Sequence, residues 1–174
     1  MSERDTMNTI LKKAALAAAL ATASLSANAA QTDITLSATI DDTLALLRAD
    51  GSALPDAVKL TYVPGKDDTA GLDRWSDRVR IYSNDTTQDV EVRLQAPVEL
   101  IAKNGRSPNV PLTVQLSDRT LSTTAVEFTA DELYDGAIPD ASVAMDLAIT
   151  QTTRGQLAAG QYEGMASIVL NAKP

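Results

Sequence analysis

Large aliphatic side chains stand at every second position of Val110-Pro-Leu-Thr-Val-Gln-Leu116, near the middle of the chain. Successive side chains of a β-strand point to opposite faces of its sheet, so this spacing places Val110, Leu112, Val114 and Leu116 together. One apolar face is typical of an antiparallel sheet that covers a core on one side and meets water on the other. The stretch therefore predicts a half-buried β-strand.

The same two-residue period recurs along most of the chain. Further alternating runs occupy residues 34–40, 58–62, 79–81, 90–94, 143–149 and 162–170. Turn-forming pairs and triplets separate the runs, among them Asp50-Gly51, Pro64-Gly65, Ser83-Asn84-Asp85, Asn104-Gly105 and Asp135-Gly136. Seven or more short strands at such spacing predict an all-β, antiparallel sandwich of the immunoglobulin-like type. Residues 43–48 fit either a strand or a helical turn, and residues 130–134 fit a short helix.

Composition excludes several kinds of chemistry. The 174 residues include no cysteine and no histidine. Without cysteine there is no disulfide, no thiolate zinc site and no cysteine nucleophile, and without histidine the commonest general base and transition-metal ligand are missing. With 15 basic and 23 acidic residues, the formal net charge is −8. This charge argues against nucleic acid as a partner, because phosphates recruit Lys and Arg. We expect no cofactor.

Residues 1–29 have the layout of a secretory signal peptide. Lys12 and Lys13 precede the apolar run 14–20, and small residues lead to Ala27-Asn-Ala29, in the order of a basic n-region, an h-region and a cleavage site. The run is shorter than the roughly 20 apolar residues of a membrane-spanning helix. We expect cleavage after Ala29, with Met7 as a second candidate for the true start. The alternative is an alanine-rich helix of the folded protein.

Both ends of the remaining chain carry alternating segments. Behind the cleavage site, one face of an amphipathic strand is formed by Ile34, Leu36, Ala38 and Ile40. Such a strand can pair with its own sheet, which the pattern favours, or it can extend the open sheet edge of another subunit. Near the other end, one parity is shared by Tyr162, Gly164, Ala166, Ile168 and Leu170. This second segment reads as the ordinary last strand of a sandwich.

Several stretches resemble one known family in order and spacing. They are Asp33-Ile-Thr-Leu-Ser-Ala-Thr-Ile40 with Leu44-Ala-Leu-Leu47, Ala49-Asp-Gly-Ser-Ala-Leu-Pro-Asp-Ala-Val-Lys-Leu-Thr-Tyr62, Leu121-Ser-Thr-Thr-Ala-Val-Glu-Phe128, and the closing Gly160-Gln-Tyr-Glu-Gly164 and Ile168-Val-Leu170. The chain resembles the major subunits of alpha-class chaperone–usher fimbriae, the group of colonisation factor antigens, coli surface antigens and cable pilins. The likeness covers nearly the whole chain behind the signal peptide.

The resemblance implies a fold, a function and a set of partners. Such a pilin is an incomplete immunoglobulin-like sandwich, and donor-strand exchange completes it. A periplasmic chaperone first fills the open groove, and at an outer-membrane usher the N-terminal extension of the next subunit replaces it. The product is a homopolymeric surface fimbria that supports adhesion and carries a tip adhesin. The protein would therefore be exported through the periplasm to the cell surface.

The resemblance also implies roles for particular residues. Residues 30–42 would be the donor strand and residues 43–174 the pilin domain. The donor side chains would be Ile34, Leu36, Ala38 and Ile40, and the groove strand would carry Tyr162, Gly164, Ala166, Ile168 and Leu170. One departure is that Asp41-Asp42-Thr43 stands where related subunits often have proline. This change puts in doubt any proline-dependent flexibility of the shaft, but it does not affect strand exchange.

Other functions remain as alternatives. The first is a minor or tip adhesin that binds a host receptor, with Trp75 as a residue that could stack on a sugar or, more simply, anchor a loop. The second is a periplasmic enzyme, although Ser122, Thr123 and Thr124 have no partner base and the neighbours Asp131 and Glu132 do not form an acid/base dyad.

The acidic residues Asp67, Asp68, Asp73 and Asp77 suggest either a calcium site or a solvated loop. The pattern favours the solvated loop, because the spacing is not that of an EF-hand. Asn84-Asp85-Thr86 matches a glycosylation acceptor but also reads as a turn.

Overall fold

The computed structural model describes residues 43–173, and within them β-strands dominate. The strands are β1 (Leu44–Arg48), β2 (Tyr62–Val63), β3 (Gly71–Leu72), β4 (Trp75–Ser83), β5 (Asp89–Leu94), β6 (Glu99–Ala102), β7 (Val110–Leu116), β8 (Arg119–Leu121), β9 (Val126–Phe128), β10 (Met145–Gln151), β11 (Tyr162–Glu163) and β12 (Ile168–Lys173). A 3-10 turn spans Asp67–Thr69, and a short helix, α1, spans Ala130–Leu133. Neither helical segment in this range is long and apolar enough to cross a membrane.

The strands form two sheets and one small ribbon, and every pairing among the described residues is antiparallel. In the larger sheet the order is β1-β4-β10-β7-β6-β11, with β8 also paired to β7. The smaller sheet has the order β12-β5-β9, and β2 pairs with β3 in the ribbon. The chain passes from the larger to the smaller sheet between β8 and β9, where the Leu94 amide donates to the Ser122 carbonyl at 2.7 Å.

The hydrophobic core draws its side chains from both sheets. Its buried members are Val79, Ile81, Val90, Val92, Leu94, Val98, Val114, Leu116, Leu121, Phe128, Leu133, Met145 and Leu147. Most of them stand at alternate positions of their strands, and residues opposite each other across a ladder share a face. The structure thus confirms the prediction of an all-β, antiparallel, immunoglobulin-like sandwich.

Two short segments left open or predicted as helical are now assigned. Residues 44–48 form strand β1, which pairs along its whole length with β4. Helix α1 occupies part of the predicted 130–134 segment. Its N-terminus is closed by a capping box, in which Thr129 Oγ1 accepts from the Glu132 amide and the Glu132 carboxylate accepts from the Thr129 amide at 3.2 Å.

The predicted strand over residues 58–62 is wrong for most of its length, because only Tyr62 belongs to a strand. Val58 and Leu60 are half-buried, but they lie in irregular chain that lines a cavity. Their alternation therefore reflects side chains that face protein on one side, without the backbone pairing of a sheet.

Other sequence predictions concern loops at the surface. Trp75, predicted to anchor a loop, is instead the first residue of β4, where it is half-buried and packs against the core. Asp67, Asp68 and Asp73 are exposed. No group of three or more acidic side chains within the described residues could hold a metal ion. The segment from Asn84 is a turn, in which Asp85 accepts from the amide and the hydroxyl of Thr87.

Candidate functional site

Strands β1 and β12 each pair with a neighbour on one side only. Strand β1 borders the larger sheet and pairs with β4, and strand β12 borders the smaller sheet and pairs with β5. No ladder joins β1 to β12 within the described residues, although Cα atoms of the two strands come within 8 Å of each other. The sandwich therefore has one side along which two free edges lie close together.

Apolar side chains follow these edges. On β1, Leu44 and Leu46 are opposite Ser83 and Ile81 and pack against the core. On β12, Ile168 and Leu170 are opposite Leu94 and Val92 and also pack against the core. All four are only half-buried, whereas their partners on the neighbouring strands are buried. We call β12 together with Leu44 and Leu46 the acceptor edge.

The acceptor edge has the properties of a site for an added strand. A strand with a free edge presents unpaired amide and carbonyl groups that can continue a ladder with another segment. A strand that paired with both β1 and β12 would need about 9–10 Å between them, which is twice the ordinary spacing between strands. Since Cα atoms of the two edges already approach within 8 Å, the space between them does not hold a strand that pairs with both along its whole length.

The prediction of one continuous C-terminal strand over residues 162–170 is wrong. Tyr162 lies in β11, opposite Ala102 of the larger sheet, whereas Ile168 and Leu170 lie in β12 of the smaller sheet. Gly164 and Ala166 are exposed between the two strands. The chain changes sheets here, so the shared parity of the five residues does not correspond to a shared face. Only Ile168 and Leu170 of the predicted groove strand belong to the acceptor edge.

The change of sheet requires a glycine. A Cβ at Gly164 would lie 2.2 Å from the carbonyl oxygen of Glu99, a separation that no side chain can tolerate. The missing side chain lets the backbone pass directly against β6 as it leaves the larger sheet. An ion pair between Lys103 and Glu163 lies across the same β6–β11 end. Gly164 thus directs the chain toward β12 and has no place in the acceptor edge itself.

The predicted donor side chains Ile34, Leu36, Ala38 and Ile40 lie outside the described residues. The first described residue is Thr43, whose amide donates to Asn84 Oδ1 at 2.8 Å. This bond fixes the start of β1 beside the turn that joins β4 to β5.

Ion pairs fix the ends of both edge strands. Arg48 Nε donates to Asp77 Oδ2 at 2.7 Å, which joins the end of β1 to β4. Lys173 pairs with Glu127 across the outer face of the smaller sheet. Hydrogen bonding to Glu127 and its negative charge raise the pKa of the Lys173 ammonium group above its ordinary value. These pairs hold the edges in place while leaving their backbone groups free of a ladder on the outer side.

Sequence reasoning missed the contribution of Leu44 and Leu46. Their segment, Leu44-Ala-Leu-Leu47, is apolar at every position, so its pattern could not separate a strand from a helical turn. Asn84 was also seen only as part of a turn. A polar residue in a turn gives no sign in the sequence that it holds a backbone amide 41 residues away.

Comparison with known proteins now adds to this geometry. Residues 30–171 match the model of the family described as CS1 type fimbrial major subunit. The chain is 34% identical over 168 residues to a CS1 fimbrial protein of Escherichia coli, one of the subunits of that fimbria, in an alignment that covers 92% of this chain and 96% of the relative. It is also 34% identical over 151 residues to a CFA/I fimbrial protein of Escherichia coli O78:H11, covering 84% of this chain and 87% of the relative.

A solved structure shares the fold. The CooA pilin from enterotoxigenic Escherichia coli superposes with a TM-score of 0.66 at 31% sequence identity, covering 75% of this chain and 87% of that pilin. The sequence and the fold therefore agree with the resemblance inferred from the sequence motifs. Proteins of this kind polymerise into pili with other subunits, at the cell surface. The chain belongs to the CS1-type family of fimbrial major subunits and is a structural pilin.

Proposed function

We propose that this pilin polymerises by donor-strand exchange, in which residues 30–42 of one copy pair with the acceptor edge of the next. The observation that carries the proposal is the acceptor edge: two adjacent sheet edges whose core-facing leucine and isoleucine side chains are only half-buried. An added strand would cover these side chains and satisfy the outer edge of β12.

The spacing of the donor residues supports this pairing. Ile34, Leu36, Ala38 and Ile40 recur every second residue, as do the core-facing positions Ile168, Leu170 and Ala172 of β12. A strand that joins a sheet places alternate side chains on the core face. Burial of the four donor side chains would contribute roughly 5–8 kcal/mol, at about 1.5–3 kcal/mol for each large aliphatic and less for alanine.

The remaining steps of assembly follow from the exposed edge. An unpaired apolar edge promotes aggregation, so a periplasmic chaperone would cover it until an outer-membrane usher brings the next subunit, and a tip adhesin would end the filament. Export would use residues 1–29 as a signal peptide. The family match begins at residue 30, directly behind the proposed cleavage after Ala29, which supports this division. A contact that repeats head to tail without closing builds a filament.

A charge in the donor strand tests the proposal. In Leu36→Asp the carboxylate would have to enter an apolar site without a partner, which is costly, so we expect no polymer by electron microscopy or sedimentation. The matched control is Thr35→Asp, which adds the same charge to the adjacent position on the opposite face and should polymerise. Normal polymer formation by Leu36→Asp, or equal loss in both variants, would contradict the assignment of the donor face.

A further inference from the structure

The two ends of the sandwich differ in shape and charge. Strand β4 runs the length of the domain, from Trp75 to Ser83, a span of about 26 Å at the usual rise of a strand. At the Ser83 end lies Thr43, and the Ser83 amide donates to the Asp140 carbonyl at 2.9 Å. We call this the arm end, because Thr43, to which residues 30–42 are joined, lies there. At the Trp75 end, which we call the cavity end, Gln151 Oε1 accepts from the Leu72 amide at 2.9 Å.

The cavity end contains an apolar cavity of about 580 Å³. Its walls come from the irregular segment with Val58 and Leu60, from Leu72 of β3, from Leu100 of β6 and from Tyr162 of β11. A cavity of this size is large enough for a ligand or a small loop. Lys59 also lines it, and the structure shows no ion pair for Lys59 among residues 43–173. The cavity is thus an apolar site with one cation at its wall.

The arm end carries an exposed apolar loop, residues 135–140, which we call the Ile138 loop. Ile138 is 38% exposed, one of the large apolar residues of the described domain that leave more than a third of their surface in water. The loop is held in shape, since the Ala137 amide donates to Asp135 Oδ1 at 3.0 Å and the Asp140 carbonyl accepts from Ser83. Asp135 and Asp140, both exposed, flank the apolar residues. The loop therefore presents an isoleucine between two carboxylates.

Directional assembly brings these two features toward each other. This step rests on the proposed function, in which each subunit donates the segment before Thr43. Every described ladder is antiparallel, and a donated segment that joins β12 in the same sense runs from the Lys173 end of β12, at the arm end, to its Ile168 end, at the cavity end. The arm end of one copy then meets the cavity end of the next. An apolar protrusion that fits a pocket elsewhere on the same chain makes a heterologous contact, which does not close on itself.

We propose that the Ile138 loop of one subunit inserts into the cavity of the next, as a second contact beside the exchanged strand. Ile138 would occupy the apolar walls, and Asp135 and Asp140 would lie near Lys59. The occupant is thus a second copy of this chain, selected by its apolar residue and by opposite charge. This contact would set the angle between successive subunits, which a single exchanged strand leaves adjustable.

Cysteine cross-linking tests the contact cleanly because the chain contains no cysteine. A disulfide forms only between residues whose Cα atoms lie within about 7 Å. Polymers of the double variant Ile138→Cys/Leu60→Cys should therefore give a ladder of covalent multimers after mild oxidation. The matched control is Ile138→Cys/Ile101→Cys: Ile101 is 55% exposed and follows the cavity residue Leu100, so it faces away from the cavity. Its polymers should give no ladder.

The outcomes separate the two proposals. Polymers of Ile138→Cys/Leu60→Cys that show no ladder, or a ladder equal to that of the control, would overturn the loop contact while leaving strand exchange intact. A ladder from Ile40→Cys/Leu60→Cys, with none from Ile138→Cys/Leu60→Cys, would show that the donated segment fills the cavity and would also overturn it. If the unmodified chain forms no polymer, the proposed function fails and the loop contact fails with it.

Discussion

The centre of the larger sheet and the acceptor edge are built from the same kinds of residue but differ in burial. In the centre, Ile81 and Leu147 are 0% and 3% exposed, on strands that have a neighbour on each side. At the acceptor edge, Leu46 and Leu170 alternate in the same way and remain half-buried, on strands that have one neighbour. Residue type therefore does not explain the half-buried state of Leu46 and Leu170, which coincides with an unpaired side of their strands.

This contrast explains how one domain can be both folded and open to assembly. The buried centre gives the subunit its own core, so it does not depend on a partner for every contact. Under the proposed strand exchange, the half-buried side chains of the acceptor edge become fully buried only when another strand joins it. A pilin that assembles in this way needs both properties, because each copy must persist before assembly and then gain stability from its neighbour.

The first test of the contrast removes a side chain from the buried centre of the larger sheet. Leu116→Ala removes a fully buried side chain from β7 and should lower the free energy of unfolding by about 2–5 kcal/mol, the usual cost of such a cavity. The loss should be the same with and without a bound donor peptide, because β4 and β10 separate β7 from the edge strand β1. Chemical denaturation under both conditions measures it. A loss below about 1 kcal/mol would show that the centre is not the main source of stability.

The second test changes a side chain of the acceptor edge. Leu170→Ser removes a half-buried side chain and should cost about 1–2 kcal/mol in the free domain, less than a fully buried leucine, while weakening donor-peptide binding more strongly. The matched control is Asn171→Ser, the next residue of β12, which is exposed on the opposite face. Calorimetric titration of each variant with a peptide of residues 30–42 compares them. Equal affinity in Leu170→Ser and Asn171→Ser would place the binding face elsewhere.

The sequence could predict the strands that carry most of the core. Alternation is reliable in β5, β7 and β10 because each has six or seven residues, enough to repeat the two-residue period, and one face lies against the core. Strands β6, β8 and β9 have three or four residues, too few for the period to be visible. Their positions depend on the neighbouring strands with which they pair.

The candidate site could be predicted only in part. Alternation identified the strand that carries Ile168 and Leu170, and the structure places both at the acceptor edge. The prediction that this strand extends back to Tyr162 was wrong, because the chain changes sheets at Gly164. This change of sheet does not interrupt the two-residue alternation in the sequence, so the pattern could not reveal it. Leu44 and Leu46 were not recognised, because their edge is formed by two strands that are distant in the sequence.

The smallest expected effect concerns pH and a part of the fold away from the edges. The hydrogen bond from the Thr129 amide, with the nearby charge of Arg119, lowers the pKa of Glu132 below its ordinary value of 4.5. A lowered pKa means that the charged carboxylate stabilises the folded state above the unfolded value, and this contribution is lost as the pH falls through the folded value.

We therefore expect Glu132→Gln to be slightly less stable than the unmodified chain at pH 7, with the difference disappearing as the pH falls well below 4.5. Thermal unfolding over this pH range measures it. Asp131→Asn, which neutralises the adjacent carboxylate outside the capping box, should not reproduce this pH-dependent difference. A difference between Glu132→Gln and the unmodified chain that stays constant with pH would contradict the assignment.

The central claim is that the acceptor edge takes up residues 30–42 of another copy of the chain. The most direct test is the thermal unfolding of a chain that begins at Thr43, alone and with increasing concentrations of a peptide of residues 30–42. A peptide that binds only the folded state should raise the melting temperature progressively. At a peptide concentration of a hundred times its Kd, the free energy of unfolding should increase by about 2.7 kcal/mol. The Leu36→Asp peptide should have no effect. A truncated domain that is stable and monomeric, and whose melting temperature does not respond to the peptide, would contradict the claim.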